Sequence, residues 1–268
     1  MSAANRTRGQ HPVDPELVEF CEELTRASRN IVARYFRQAV SIDAKGDQSP
    51  VTVADQEVEA CWRERIAARY PAHGILGEEF GAQGRDREYL WVLDPIDGTR
   101  SFINGTPTFG SLIAVLHRGA PVFGVIDMPA LDECWMGGSG YATCLNGAPV
   151  RVSACEQVDQ CRLTVTAPQI FNAAQSVAFE RVLSRTSFYR YGGDCYNYAL
   201  LAAGYTDLVV EADLKPHDFC ALVPVIENAG GVITDWCGDP LTLDSGGEVL
   251  AAATPALHAE VVSLLGSH

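Results

Sequence analysis

The chain lacks any long apolar run. No stretch approaches the roughly 20 residues that cross a bilayer, and the polar start MSAANRTRGQHPVDP has no apolar signal core. A cytoplasmic protein with no membrane partner is expected. Basic residues are scarce: 20 Lys and Arg face 34 Asp and Glu, a formal charge of −14. That balance argues against broad attraction to nucleic acid or anionic lipid. Cysteine pairs are missing too. The nine cysteines are scattered, with no CxxC, which excludes a closely spaced zinc site and predicts reduced, mostly buried thiols. No repeat, low-complexity block or flexible linker interrupts the chain. What is present is 47% hydrophobic residues in a 268-residue chain, enough for one large domain or two intimately packed lobes.

Asp14-Pro15-Glu16 reads as a helix start, and Leu17, Phe20, Cys21, Leu24, Ala27, Ile31 and Tyr35 recur at helical spacing. A helix over about 14–39 follows, then a polar surface loop at 43–50 and a second helix over 52–70. Short strands are expected at 73–77 and 89–94, and a strand meander at 111–117, 121–127 and 133–137. Beyond it come a strand at 163–166, helices at 173–184 and 194–203, and a strand at 206–211. A helix at 216–229 ends in Gly230-Gly231, followed by strands at 232–234 and 249–252 and a helix at 255–265. Residues 1–13 are expected to form a loose tail. Residues 14–268 read as a single domain, an N-terminal lobe to about 150 and a C-terminal α/β lobe from about 151. Helices, then strands, then alternating strand and helix predict stacked layers of helix and sheet.

Three carboxylate groups fall at the ends of expected elements: Gly77-Glu78-Glu79, Asp94-Pro95-Ile96-Asp97-Gly98-Thr99, and Lys215-Pro216-His217-Asp218. Oxygen ligands where loops converge suit hard cations such as Mg²⁺, which keeps several waters and needs few protein ligands. Taken singly, each has a plainer explanation. Glu-Glu is a common solvated turn, Asp-x-x-Asp-Gly a common loop, and Asp at a helix start a common cap.

Together they form a known pattern. Trp91-Val92-Leu93-Asp94-Pro95-Ile96-Asp97-Gly98-Thr99 resembles the first signature of the inositol-monophosphatase family. Gly77-Glu78-Glu79 stands upstream at the family's distance. LKPHDFCALVPVIENAGG at 214–231 resembles its second signature, and Pro50-Val51-Thr52-Val53-Ala54-Asp55 the element around the water-activating aspartate. The matches occur in the family's order across most of the chain.

The resemblance implies an αβαβα sandwich and a phosphate monoesterase holding up to three Mg²⁺ ions. Glu78, Asp94 and the Ile96 carbonyl would hold the first metal. Asp94, Asp97 and Asp218 would hold the second, and Glu78 with waters a third. Glu79 is placed behind its neighbour, and the side chain of His217 is not required by the metal chemistry. Asp55 and Thr99 match the water-activating pair, with Glu78 as a third catalytic position. Asp97 and the backbone of Gly98 and Thr99 would hold phosphate where a short helix starts, and Gly98 is explained by that close approach. Lys45 is a candidate loop contact. Family members are commonly dimers, so a homodimer is implied.

Three segments bear on the substrate. Arg100-Ser101-Phe102, the run Tyr191-Gly192-Gly193-Asp194-Cys195-Tyr196-Asn197-Tyr198, and Leu214-Lys215-Pro216 resemble the histidinol-phosphate phosphatase branch more than the inositol-type branch. Histidinol phosphate carries an ammonium and an imidazole, for which Asp194 and Glu211 offer acceptors. Arg100, Asn104 and Asp218 are further candidate pocket residues, and Asp194 also suits the N-cap of the helix after it. Two alternatives stay open: an inositol-1-phosphate or broad sugar-phosphate phosphatase, and a non-catalytic partner of the transcription machinery.

Overall fold

The computed structural model describes residues 12–38, 42–44 and 50–266. The chain opens with α1 (Pro15–Tyr35), whose first turn is capped by Asp14 accepting the Glu16 N–H at 2.9 Å. Next come β1 (Ile42–Ala44), β2 (Pro50–Thr52) and α2 (Val53–Arg69). Strands β3 (Gly74–Gly77), β4 (Gly81–Gln83) and β5 (Tyr89–Asp97) lead into α3 (Thr99–Ile103). The meander follows: β6 (Gly110–His117), β7 (Ala120–Met128), β8 (Glu133–Gly138), β9 (Tyr141–Leu145) and β10 (Ala148–Pro149). The second half runs β11 (Arg162–Val165), α4 (Ala173–Leu183), β12 (Phe188–Tyr191), α5 (Tyr196–Ala202), β13 (Leu208–Glu211), α6 (Pro216–Phe219), α7 (Leu222–Asn228), β14 (Val232–Thr234), β15 (Val249–Ala252) and α8 (Pro255–Gly266).

An eight-stranded sheet has the order β10-β9-β8-β7-β6-β5-β3-β4, and a five-stranded sheet the order β12-β11-β13-β15-β14. The two-residue period of a strand divides each sheet between two cores. On β5, Trp91 and Leu93 face Leu24, Val58 and Trp62 of α1 and α2. Leu90 and Val92 join a second core with Tyr198, Leu201, Val223 and Ile226 of α5 and α7. Val209 and Ala251 of the smaller sheet reach the same core. Leu208, Val210, Leu250 and Ala252 point the other way, onto Phe179 and Val182 of α4 and Leu257 and Val261 of α8. The layers are therefore α1/α2, large sheet, α5/α7, small sheet, α4/α8: the expected αβαβα sandwich.

Several elements differ in detail. Ile42–Ala44 pairs with Pro50–Thr52 as an antiparallel ladder at the edges of the expected 43–50 loop. The helix expected over 216–229 is split into α6 and α7. Pro224 has no N–H to give the Cys220 carbonyl, so a continuous helix fails there. The edge strand β12 was not anticipated; its Phe-Tyr-Arg-Tyr run is exposed throughout and shows no alternation. Residues 1–11 of the expected tail lie outside the described residues. Val13, at its end, is tied down: its N–H donates to the Ser139 carbonyl at 2.8 Å and its side chain packs on the α1/α2 core. The cysteines are free thiols, four buried, four half-buried and Cys237 exposed, so "mostly buried" overstated it. Among the described residues no helix is long and apolar enough to cross a membrane.

Candidate active site

The ends of four elements meet where β3 and β5 of the large sheet terminate. β3 delivers Glu78, whose N–H donates to the Leu93 carbonyl at 3.2 Å. β5 delivers Asp94 and Asp97, and its pairing with β6 slips between those two residues. Such an irregularity re-aims side chains at the end of a ladder. α6 delivers His217 and Asp218, and α2 delivers Asp55 in its first turn.

Ligand atoms of Asp94, Asp97 and Asp218 lie within 4.8 Å of one another, and so do those of Glu78, Asp94 and His217. Asp94 belongs to both groups and is only 2% exposed. Its Oδ1 has no hydrogen-bond partner among the described residues. Burial first, then the charges of Glu78, Asp97 and Asp218, push the Asp94 carboxyl well above its usual range. Burial, with Asp194 and Asp218 beside it, does the same to Asp97. Burial also raises Asp218, while His217 opposes the rise. Acidic oxygens gathered around a buried, unpartnered oxygen fit a divalent cation, which would reverse the mutual repulsion.

His217 was not anticipated in this cluster. The only sequence signal was its place beside Asp218, and the start of α6 brings the two side chains to neighbouring groups that share Asp94. Asp218 does act locally as a cap, its Oδ2 accepting the Lys215 N–H at 2.6 Å, yet the same carboxylate remains in the cluster.

Asp55 is fully buried. Its Oδ2 accepts the Thr52 N–H at 2.8 Å and the Thr52 hydroxyl at 2.5 Å, a reciprocal cap of α2. Its Oδ1 makes no hydrogen bond among the described residues. Burial raises its pKa to about 6, opposed by the Thr52 bonds and reinforced by Glu78. Thr99 opens α3 and donates its hydroxyl to the Ile96 carbonyl at 3.2 Å, so that carbonyl already serves a second purpose. Gly98 has φ +79°, and a Cβ there would lie 2.8 Å from Asp194 Cγ. Left-handed backbone and Asp194, rather than room for a ligand alone, account for the glycine.

A cavity of about 80 Å³ adjoins the cluster, lined among others by Asp97, Thr166, Asp194, Tyr198, Glu211 and Asp218. Glu211 is buried and accepts from the Thr166 N–H at 2.9 Å, the Thr166 hydroxyl at 2.6 Å and the Tyr198 hydroxyl at 3.3 Å. Burial raises it to about 7, against the Thr166 bonds. Asp194 is not the helix N-cap: it has φ +48°, Cys195 occupies the cap position, and its carboxylate accepts the Ser101 hydroxyl at 2.6 Å. The Cys195 N–H donates to Asp97 Oδ2 at 2.7 Å, which ties the two halves of the site together. Arg100 is exposed on α3 and Asn104 caps its end; neither is among the residues lining the cavity. Lys45 lies outside the described residues. Thr166 and Tyr198, which set Glu211, were not anticipated as site residues.

A layered sandwich with a convergent acidic, oxygen-rich cluster at the ends of β3 and β5 presents a candidate cation-binding site. The inositol monophosphatase family matches residues 14–268. The chain belongs to that family of phosphatases. It is 43% identical over 267 residues to the bifunctional phosphatase IMPL2 of Arabidopsis thaliana, covering 95% of this chain and 77% of that one. It is 33% identical over 247 residues to a histidinol-phosphatase of Chlorobaculum parvum, covering 91% and 95%. The Nus factor SuhB of Vibrio cholerae is 32% identical over 236 residues, covering 85% and 88%. The solved structure of an inositol monophosphatase from Zymomonas mobilis superposes with a TM-score of 0.87 at 40% identity, covering 94% and 98%.

Proposed function

We propose that this phosphatase hydrolyses histidinol phosphate with Mg²⁺ as its cofactor. The observation that carries the reading is the pair of carboxylates, Asp194 and Glu211, in the cavity beside the acidic cluster. A cation beside a phosphate ester is the substrate shape that such an arrangement favours: one end of the pocket for a phosphate between metal ions, the other for an ammonium or imidazolium.

Glu78, Asp94, Asp97, Asp218 and the Ile96 carbonyl would hold the ions. Mg²⁺ bound there supplies charge stabilisation at the phosphoryl oxygens and at the leaving oxygen, and acidifies a bound water. The chain's own groups do the rest. Asp55 Oδ1, buried and without a partner among the described residues, is the acceptor for a proton from the attacking water. Thr99 donates its hydroxyl hydrogen bond to the Ile96 carbonyl, which leaves the hydroxyl oxygen to accept from that water and orient it. The N–H groups of Gly98 and Thr99 start α3 and are not used within it, so they suit a phosphate oxygen. Asp194 and Glu211 receive the cationic end of the substrate, and Arg100 lies on the Asp194 side of the site, where its charge acts on that carboxylate. Residues 14–268 act as one phosphatase domain in this reading, with Asp55, Glu78, Asp94 and Asp97 from the N-terminal lobe and Asp194, Glu211 and Asp218 from the C-terminal one.

Hydrolysis of inositol 1-phosphate is the second reading. It is favoured by the solved inositol monophosphatase relative and by the hydroxyl groups of Thr166 and Tyr198 around Glu211, which suit a polyol equally well. The Nus-factor relative raises a role with the transcription machinery, but a buried carboxylate oxygen set among three further acids has no use in a docking surface. Phosphate release with Mg²⁺, abolished by EDTA and restored by added Mg²⁺, is the expected result; release unaffected by EDTA would overturn the metal-dependent reading.

A further inference from the structure

The geometry points to His217 as a nitrogen ligand in the Glu78–Asp94 half of the cation centre, making that half a mixed nitrogen–oxygen site. The inference rests on the cluster being a cation centre.

A ring nitrogen of His217 and carboxylate oxygens of Glu78 and Asp94 all lie within 4.8 Å of one another. Ligands on opposite sides of one ion at about 2.1 Å each are about 4.2 Å apart, so a small closing motion lets the three share an ion. The second observation is Asp94 Oδ1, fully enclosed and without a hydrogen-bond partner among the described residues. His217 Nε2 also stands 3.6 Å from Asp218 Oδ1, within ion-pair range and beyond hydrogen-bond length. Local structure explains why the ring is there. Pro216 fixes the first turn of α6, and Asp218 locks that turn by accepting the Lys215 N–H, so residue 217 is delivered with little freedom.

The chemical consequence concerns the choice of metal. Mg²⁺ prefers oxygen ligands, whereas imidazole favours later divalent ions. The other half, Asp94, Asp97 and Asp218, offers oxygen alone. The two halves of one centre therefore differ in selectivity. The His217 half gains affinity for Mn²⁺, Co²⁺ or Zn²⁺ relative to an all-oxygen site, while Mg²⁺ in excess still fills it, and the Asp97–Asp218 half does not discriminate in this way.

Mn²⁺ is the probe. Pulsed EPR of the Mn²⁺-loaded full chain is expected to show nitrogen modulation from a directly bound imidazole. The modulation is absent in His217→Gln, and one Mn²⁺ binds that variant about 10-fold more weakly, measured from the free-ion EPR signal, while Mg²⁺ affinity from competition changes less than about 3-fold. Asp94→Asn serves as the control that removes the centre itself. Mn²⁺ bound to the wild type without nitrogen modulation, or modulation that survives in His217→Gln, overturns the His217 assignment and leaves the cation centre intact. Failure of the wild type to bind Mn²⁺ overturns both. The wild-type spectrum alone decides the matter if the variant does not fold.

Discussion

The Glu59 carboxylate, inside the core, accepts the N–H of Glu79 at 2.7 Å. It also accepts the Phe80 N–H at 3.2 Å and pairs with Arg63 at 2.6 Å. A Cβ on Gly77 would lie 2.0 Å from this carboxylate, so the glycine is explained by Glu59. A buried, fully bonded acid thus fixes the turn that presents Glu78 to the cation centre. In that centre Asp94 Oδ1 has no hydrogen-bond partner among the described residues, whereas the Glu59 carboxylate behind it is fully bonded.

Glu59→Ala removes the acceptor of two backbone N–H groups and strands Arg63. It is expected to lower stability by about 3–5 kcal/mol by urea unfolding, and Glu59→Gln by about half as much. Glu59→Gln should also weaken Mg²⁺ binding, because the Glu78 turn loosens. Equal stability of both variants and wild type would show that the turn stands without Glu59.

Asp94→Asn takes one charge out of a repelling group. Phosphate release is expected to fall by ~100-fold or more, and the Mg²⁺-induced rise in Tm to vanish. The metal-free variant should melt about 2–4 °C above metal-free wild type, because the repulsion among Glu78, Asp94, Asp97 and Asp218 is relieved. A metal-free variant melting below wild type would mean that the Asp94 charge contributes to the fold by itself.

Glu211 has a pKa of about 7 in the folded protein against an ordinary 4.5. Folding therefore favours its protonated form. That contribution is complete below about pH 4.5 and is lost as pH rises through 7, a change of about 3 kcal/mol at most. Unfolding of the metal-free protein over pH 5–8 should show Glu211→Gln gaining on wild type as pH rises. Parallel curves would mean that Glu211 titrates alike in both states.

Asp194→Asn keeps the Ser101 hydroxyl partnered and removes a charge. If Asp194 receives the substrate's cation, kcat/KM for histidinol phosphate falls ~10-fold or more beyond the fall for p-nitrophenyl phosphate. An equal fall on both substrates assigns Asp194 to positioning Gly98 and Ser101 alone.

The carboxylates were legible because short hydrophobic strands end at Glu78 and at Asp94–Asp97 and because their order along the chain is distinctive. The layering was legible from the order of helices and strands, and the αβαβα sandwich from the family resemblance. Glu59 was not legible: a charged residue at a core position of α2 leaves no signal in a helical period. His217 and Thr166 were missed because their neighbours, not their own type, bring them to the site. The split between α6 and α7 was readable from Pro224, whereas β12 was not, since an exposed edge strand with no alternation looks like a loop. The resemblance of the Gly192-Gly193-Asp194-Cys195 run, together with charge, suggested Asp194 as a substrate acceptor; only the structure revealed that it also packs on Gly98.

The most direct measurement is Mg²⁺-dependent phosphate release from histidinol phosphate and from inositol 1-phosphate side by side. A kcat/KM at least ~10-fold higher for histidinol phosphate is predicted from the two carboxylates of the cavity. A preference for inositol 1-phosphate would contradict the cation-binding role of Asp194 and Glu211 and leave only the acidic centre standing.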